Sequence, residues 1–177
     1  MSMTKCCTAA MFALAIATVV ACSRGPSGGG GTSAGPSAEG AKYVLADEPA
    51  GAKDVIKARD EAKENDELVV VGRIGGSKEP WVEGLAAFTV VDKSFTPCNE
   101  REGDNCTTPW DYCCDLNELP KAKASVQVVD AQGETLKVDA RKLLGLKELQ
   151  TVVVRGRAKR DEAGNLTVLA SGIYVRR

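Results

Sequence analysis

The chain of 177 residues carries 23 basic and 24 acidic side chains, seven cysteines and no histidine. This length suits about one ordinary domain, and a net charge near zero disfavours nucleic acid as the main partner, because phosphate-binding domains usually have a strong basic excess. The absence of histidine excludes Ser-His-Asp and Cys-His catalysis and every histidine-ligated zinc, copper or haem site.

The N-terminal residues have the composition of an export signal. Lys5 supplies a positive charge, residues 9–20 are predominantly apolar, and small residues precede Cys22. The apolar run is shorter than the roughly 20 residues that a membrane-spanning helix needs. Residues 19–22 resemble a bacterial lipobox. The resemblance implies that residues 1–21 are a lipoprotein signal peptide and that a lipid such as palmitate on Cys22 anchors the chain to a bacterial membrane.

The segment after Cys22 predicts a flexible connection. Residues 23–40 are almost entirely Gly, Ser, Pro, Ala and Thr, a composition that forms no core and behaves as a coil. We therefore expect residues 22–42 to be a tether between the lipid and a folded domain at 43–177. The protein is then extracytoplasmic, with the membrane as one partner through its lipid.

The folded part begins with a short predicted helix and continues mainly as strands. Residues 54–66 are rich in helix formers, with Val55 and Ala58 on one side. A second short helix is predicted at residues 139–145. Apolar and β-branched segments bounded by turn residues predict strands at 67–74, 86–92, 125–129, 135–138, 151–159, 166–170 and 173–175.

The strand pattern favours one small barrel. Gly72 and Gly156 stand inside predicted strands, where glycine marks a sharp bend of the sheet. If residues 125–138 form one hairpin, the second helix falls between the third and fourth strands. This order is that of the five-stranded Greek-key barrel called the OB fold.

Several short motifs carry a resemblance to OB-fold proteins. The motif-bearing segments are residues 70–74, 88–92, 152–157 and 164–173. They resemble OB-fold domains of the nucleic-acid-binding type and secreted bacterial OB-fold proteins, in which a short helix precedes the first strand. The resemblance implies an all-β, five-stranded Greek-key OB-type barrel, with a short N-terminal helix and a helix between strands three and four.

The features of a nucleic-acid-binding surface are weak. Of the aromatic residues, only Phe88 and Tyr174 lie clearly inside predicted strands, and core packing accounts for both. A basic set lies near the C-terminal end, comprising Arg155, Arg157, Lys159, Arg160, Arg176 and Arg177. Such a set is typical of a solvated face that keeps an edge strand from aggregating. No nucleic acid is expected as a partner.

A cysteine-rich insertion at residues 93–124 is the distinctive feature. Unstructured loops longer than about 12–15 residues are uncommon in compact domains and usually carry a function or a covalent link. The insertion contains Cys98, Cys106, Cys113 and Cys114. In an exported protein these favour two disulfides, with Cys98 and Cys106 each bonded to one of Cys113 and Cys114, because adjacent cysteines bond to each other only with strain.

A metal site with the same four cysteines is the alternative. Four thiolates suit zinc, copper(I) or iron–sulfur, although the spacing lacks the usual C-x2-C pairs. A redox-active disulfide is a third hypothesis, without a C-x-x-C motif to favour it. The acids of the region are interpreted as solvated loop charge; they are Asp92, Glu100, Glu102, Asp104, Asp111 and Asp115.

These patterns together predict a non-catalytic binding or structural module at the cell envelope. The insertion is expected to present Trp110 and Tyr112 as a contact surface for an envelope protein or ligand. The rival hypothesis is a metal-binding or redox protein with zinc or copper at the four-cysteine cluster. No enzyme and no other cofactor are predicted, because the sequence has no nucleophile–base pair and no phosphate-binding glycine loop.

Overall fold

The computed structural model describes residues 35–177, so the predicted signal peptide, Cys22 and most of the predicted tether lie outside the described residues. The regular elements are β1 (Lys53–Asp54), α1 (Val55–Glu61), β2 (Glu67–Ile74), β3 (Ala87–Val91), β4 (Lys123–Val128), α2 (Ala140–Leu144), β5 (Thr151–Arg160) and β6 (Leu166–Val175). Within residues 35–177, none of the helices has the length and apolar character that crossing a membrane requires.

Strands β2 to β6 form a closed barrel. β2 pairs antiparallel with β3 on one side and with β5 on the other. β3 pairs antiparallel with β4, β4 pairs parallel with β6, and β6 returns antiparallel to β5. The two-residue strand β1 lies parallel to β2 outside this ring. The fold is therefore mostly β, and the predicted five-stranded barrel is confirmed.

The interior of the barrel is filled by alternate residues of all five strands. Val70, Phe88, Val126, Val154 and Val168 come from different strands and are almost completely buried. Burying each side chain of this kind contributes about 1.5–3 kcal/mol. Both helices add apolar residues to the same cluster. The barrel is therefore a stable scaffold for the loops that leave it.

Gly156 marks an irregularity in the barrel wall, as its position inside a strand predicts. The pairing of β5 with β6 shifts register between Arg155 and Gly156. A Cβ atom at Gly156 would lie 2.2 Å from the carbonyl oxygen of Leu169. Only glycine permits this close approach of the two backbones.

The helix before the first barrel strand is shorter than the sequence suggests. The predicted range is residues 54–66, whereas α1 ends at Glu61. The guanidinium of Arg160 donates to the carbonyl oxygens of Arg59 and Ala62. These bonds from β5 satisfy backbone acceptors at the helix end, which otherwise have no partner.

Two strand predictions differ from the structure. Residues 135–138 form no strand, and the expected hairpin is reduced to a single bridge between Val129 and Thr135. The separate strands expected at 166–170 and 173–175 are one continuous strand, β6.

The last part of the predicted tether contacts α2. The backbone N–H and the hydroxyl of Ser37 both donate to the carbonyl oxygen of Leu143, over 2.9 Å and 3.2 Å. Gly40 is buried in a short 3-10 turn, Gly40–Lys42, beside the same carbonyl. Ser37 and Gly40, within the range predicted as tether, therefore contact α2.

Candidate metal centre

The cysteine-rich segment connects β3 to β4 through four short 3-10 turns. They are Cys98–Glu100, Pro109–Asp111, Cys113–Asp115 and Leu119–Lys121. A small apolar cluster separate from the barrel core contains the buried residues Val91, Tyr112 and Leu119, with Phe95 packed against it. Since this cluster is small, hydrogen bonds determine much of the remaining shape of the segment.

The turn that ends β2 holds the segment in place. The N–H of Gly76 donates to the carbonyl oxygen of Trp110 over 2.7 Å, and the indole of Trp110 donates to the carbonyl oxygen of Lys78 over 3.0 Å. A Cβ atom at Gly75 would lie 2.5 Å from the same Trp110 oxygen and 3.0 Å from the ring of Tyr112. The segment therefore lies directly on the Gly75–Gly76 turn.

Tyr112 gives the segment a sharp turn between two candidate ligands. Its backbone is left-handed, with φ 56° and ψ 38°, a conformation that costs a non-glycine residue about 1–3 kcal/mol. The side chain has no exposed surface, and its hydroxyl has no hydrogen-bond partner within residues 35–177. Burial raises the pKa of Tyr112 to about 12. Its neighbours in the chain are Asp111 and Cys113.

Three sulfur atoms and one carboxylate meet beside this turn. The Sγ atom of Cys113 lies 3.6 Å from that of Cys98 and 4.0 Å from that of Cys106. Together with an oxygen of Asp111, these ligand atoms all lie within 4.8 Å of one another. The structure contains no disulfide among the four cysteines of the segment, Cys114 included, because the sulfur separations exceed the roughly 2.05 Å of a disulfide bond. The predicted disulfides are therefore not supported by the structure.

The sulfur separations match those of thiolates that share one metal ion. With metal–sulfur bonds of about 2.3 Å, as in zinc sites, the edge of a tetrahedron of ligands is about 3.8 Å. The two distances at Cys113, 3.6 Å and 4.0 Å, lie on either side of this value. The Cys/Asp cluster can therefore hold a metal ion.

Asp111 has the environment of a metal ligand. It is 7% exposed, and it makes no ion pair with a side chain of residues 35–177. Its carboxylate accepts hydrogen bonds from the N–H of Cys113 and the hydroxyl of Thr108, each over 2.9 Å. A buried carboxylate is normally paired with a cation or coordinates a metal. A metal ion held here would supply that positive charge.

A second group of candidate ligands shares one cysteine with the first. The ligand atoms of Cys98, Asp104 and Cys114 also lie within 4.8 Å of one another. The thiol of Cys114 lies 3.6 Å from Oδ2 of Asp104, while Oδ1 of Asp104 accepts the N–H of Cys106 over 2.8 Å. One carboxylate thus contacts residues of both groups.

The pKa values of two thiols, Cys113 and Cys114, are raised above the ordinary value of cysteine. The hydrogen bond with Cys98 and then loss of solvation raise the pKa of Cys113. Loss of solvation and then the bond with Cys98 raise the pKa of Cys114. Metal binding must therefore displace protons from these sulfurs, as it does at every thiolate site.

Several of the acids predicted to be solvated loop charge have specific partners. Asp92 is buried and accepts the N–H of Ile56 in the first turn of α1. Two others form ion pairs, Glu100 with Arg73 and Asp115 with Arg101. The sequence signal of the two candidate ligand acids is an Asp-x-Cys motif. Asp104 and Asp111 each stand two residues before a cysteine and accept the N–H of that cysteine. This is the Asx-turn pattern.

The two residues predicted as a contact surface, Trp110 and Tyr112, differ in exposure. Tyr112 is completely buried and therefore belongs to the packing of the segment, because its ring lies against the Gly75 backbone. Trp110 is half-buried, and its indole donates to the carbonyl oxygen of Lys78.

Two arginines of the basic set that is predicted to be solvated have structural partners. Arg160 bonds carbonyl oxygens at the end of α1, and Arg176 forms an ion pair with Glu48.

The geometry around Cys98, Cys106, Cys113 and Asp111 is the strongest functional feature of the described residues. Comparison with protein-family models and with curated proteins found no significant match to this chain.

Proposed function

We propose that the chain is a non-catalytic, metal-binding module that holds a transition-metal ion with Cys98, Cys106, Cys113 and Asp111. The observation that carries this proposal is the pair of sulfur separations, 3.6 Å and 4.0 Å, which bracket the edge of a thiolate tetrahedron. Among residues 35–177 the buried Asp111 has no cation partner, which supports the proposal independently.

The ligand set favours zinc or another divalent ion of similar chemistry. Thiolates select soft or borderline metals and disfavour magnesium and calcium. Three thiolates and one carboxylate supply four negative charges, and a divalent ion neutralises two of these whereas copper(I) neutralises one. Four ligands in a tetrahedral arrangement are also the usual shell of zinc. Copper(I) is the second choice at this cluster.

The barrel that carries the centre is proposed to be of the OB type. Its first strand, β2, pairs with both the second and the fourth barrel strand, and a short helix stands between the third and the fourth. These features are compatible with a Greek-key barrel. In such folds, loops between strands form the binding sites, and here the loop between β3 and β4 carries the metal ligands.

The module is further proposed to be anchored by a lipid on Cys22 to a bacterial membrane, on its extracytoplasmic side. The lipobox-like residues 19–22 and the Gly- and Ser-rich sequence that follows support this. Labelled palmitate should enter the wild-type protein, and Cys22→Ala should prevent incorporation and release the protein to the soluble fraction. Incorporation of label by the variant would refute the anchor.

A disulfide-linked binding module is the second candidate function. The observation that favours it is the proximity of Cys98 to Cys113 in a protein proposed to be exported, where thiols are oxidised. Metal analysis and a thiol count on protein purified without reducing agent separate the two functions. Bound zinc, with four thiols that react after chelation and denaturation, supports the metal centre. No metal and no reactive thiol would overturn it and favour the disulfides.

A further inference from the structure

We propose that the segment binds a second metal ion, held by Cys98, Asp104 and Cys114, and that the thiolate of Cys98 bridges the two ions. This proposal rests on the metal-binding function proposed above. The second ion is proposed to be a divalent, zinc-like ion, as the first is, but it would have three protein ligands instead of four.

Cys114 is the first reason for a second ion. The first ligand set is complete without it, and zinc sites take cysteines separated by two to four residues more readily than adjacent ones. Its neighbour Cys113 is already a ligand of the first ion. Cys114 instead lies near Cys98 and Asp104, within 4.8 Å of both ligand atoms. Its thiol therefore belongs to a different ligand set.

The position of Asp104 is the second reason. One carboxylate oxygen is used by the N–H of Cys106, over 2.8 Å, which fixes the orientation of the side chain. The other oxygen lies 3.6 Å from the sulfur of Cys114. This second oxygen makes no ion pair with a side chain of the described residues, so it is available to a metal ion.

Cys98 occupies the centre of the arrangement. It is the one residue common to both ligand groups, and it is completely buried. A thiolate sulfur has several lone pairs and can bind two ions at once. Burying the negatively charged sulfur of Cys98 among other anions is unfavourable. Binding two cations instead of one to this sulfur lowers the free-energy cost of burying its charge.

The charges of the whole cluster agree with two ions. Four thiolates and two carboxylates carry six negative charges when all are ionised. Arg101 and Arg73, the arginines of the surrounding ion pairs, are bonded to Asp115 and Glu100, which are not ligands. One divalent ion would leave four of these negative charges uncompensated, whereas two divalent ions would leave only two negative charges uncompensated. With three protein ligands, the second ion has one coordination position open to water or an external donor.

The test is the zinc content of the reduced full chain in which Cys6, Cys7 and Cys22 are replaced by alanine, so that only the thiols of the segment are present. This chain serves as the wild-type reference, and its zinc is counted after loading with excess Zn²⁺ and desalting. We expect two ions per wild-type chain and one in Cys114→Ala. Asp104→Asn should also retain one ion, because the amide oxygen still accepts the N–H of Cys106 while the negative charge is lost. Glu102→Gln is the matched control, an exposed acid of the same segment outside both groups, and it should retain two. Thermal unfolding of each variant checks that the barrel is intact.

The results distinguish this inference from the function on which it rests. One ion in the wild type and one in Cys114→Ala would overturn the second site and leave the first. No ion in the wild type would overturn both proposals. Cys98→Ala should bind neither ion tightly, and retention of two ions by a folded Cys98→Ala chain would refute the bridging role of its sulfur.

Discussion

Replacement of Gly75 by alanine tests whether the turn after β2 positions the metal ligands. The added Cβ would lie 2.5 Å from the carbonyl oxygen of Trp110 and 3.0 Å from the ring of Tyr112. The first distance is too short for a real contact, and the obstructing atom is backbone, so the segment from Trp110 to Cys113 must move. Inserting a methyl group into a packed site of this kind costs about 1–3 kcal/mol.

We expect this cost to appear mainly in metal affinity. The segment can relax away from the turn when it binds no ion, whereas the bound ion requires the sulfurs of Cys98, Cys106 and Cys113 at their present separations. A cost of that size corresponds to a loss of about 5- to 150-fold in affinity.

The assay is competition for Zn²⁺ between the reduced protein and a chromophoric chelator of known affinity. Gly35→Ala is the matched control, because an added Cβ there has no atom within 4 Å, and its affinity should equal that of the wild type. Unfolding in urea reports separately on the barrel. Wild-type affinity in a folded Gly75→Ala variant would show that the contact between the turn and the segment does not position the ligands.

Three further predictions concern individual groups of the centre. Asp111→Asn should weaken Zn²⁺ binding at least about 10-fold, and equal binding in the competition assay would exclude Asp111 as a ligand. The same variant should raise the free energy of unfolding of the metal-free protein by about 1 kcal/mol, because it removes a buried charge that has no cation partner within residues 35–177. Tyr112→Phe should stabilise the metal-free protein by up to about 1 kcal/mol in urea unfolding. No described residue meets hydrogen-bond geometry with the buried hydroxyl, although the nearby Arg73 lowers the pKa of that hydroxyl against the larger effect of burial. A clear loss of stability would contradict this. The raised pKa of Cys113 keeps its thiol protonated at neutral pH, and metal binding must displace that proton. Zn²⁺ affinity should therefore increase by about tenfold per pH unit. Affinity that is constant between about pH 6 and 7.5 would contradict ligation by the Cys113 thiolate.

The barrel is the part of the fold that local patterns predict well. The first strand is predicted at 67–74 and observed at Glu67–Ile74, because β-branched residues there end in two glycines. Gly156 also marks its irregularity correctly. These signals are local in the sequence, since side-chain shape and turn chemistry act over a few residues.

The errors arise where distant residues decide the structure. At the end of α1, the carbonyl oxygens of Arg59 and Ala62 accept bonds from Arg160, about a hundred residues further along the chain. The buried Asp92 likewise accepts the N–H of the distant Ile56. Such partners are set by strand pairing, which hydrophobic periodicity does not specify.

For the candidate centre, the sequence identifies the cysteines but not their arrangement. Spacing along the chain favours disulfides, because C-x2-C pairs are missing. The left-handed backbone at Tyr112 and the bonds of Asp104 and Asp111 bring the sulfurs together in a way that spacing does not reveal. The two Asp-x-Cys motifs are the sequence signal that carries this information.

X-ray absorption at the zinc edge, on the zinc-loaded protein, tests the central claim most directly. The account predicts a first shell dominated by sulfur at about 2.3 Å, with a minor contribution from oxygen at about 2.0 Å. A shell of oxygen and nitrogen alone would show that the ion is bound elsewhere, and it would contradict the assignment of Cys98, Cys106 and Cys113 as ligands.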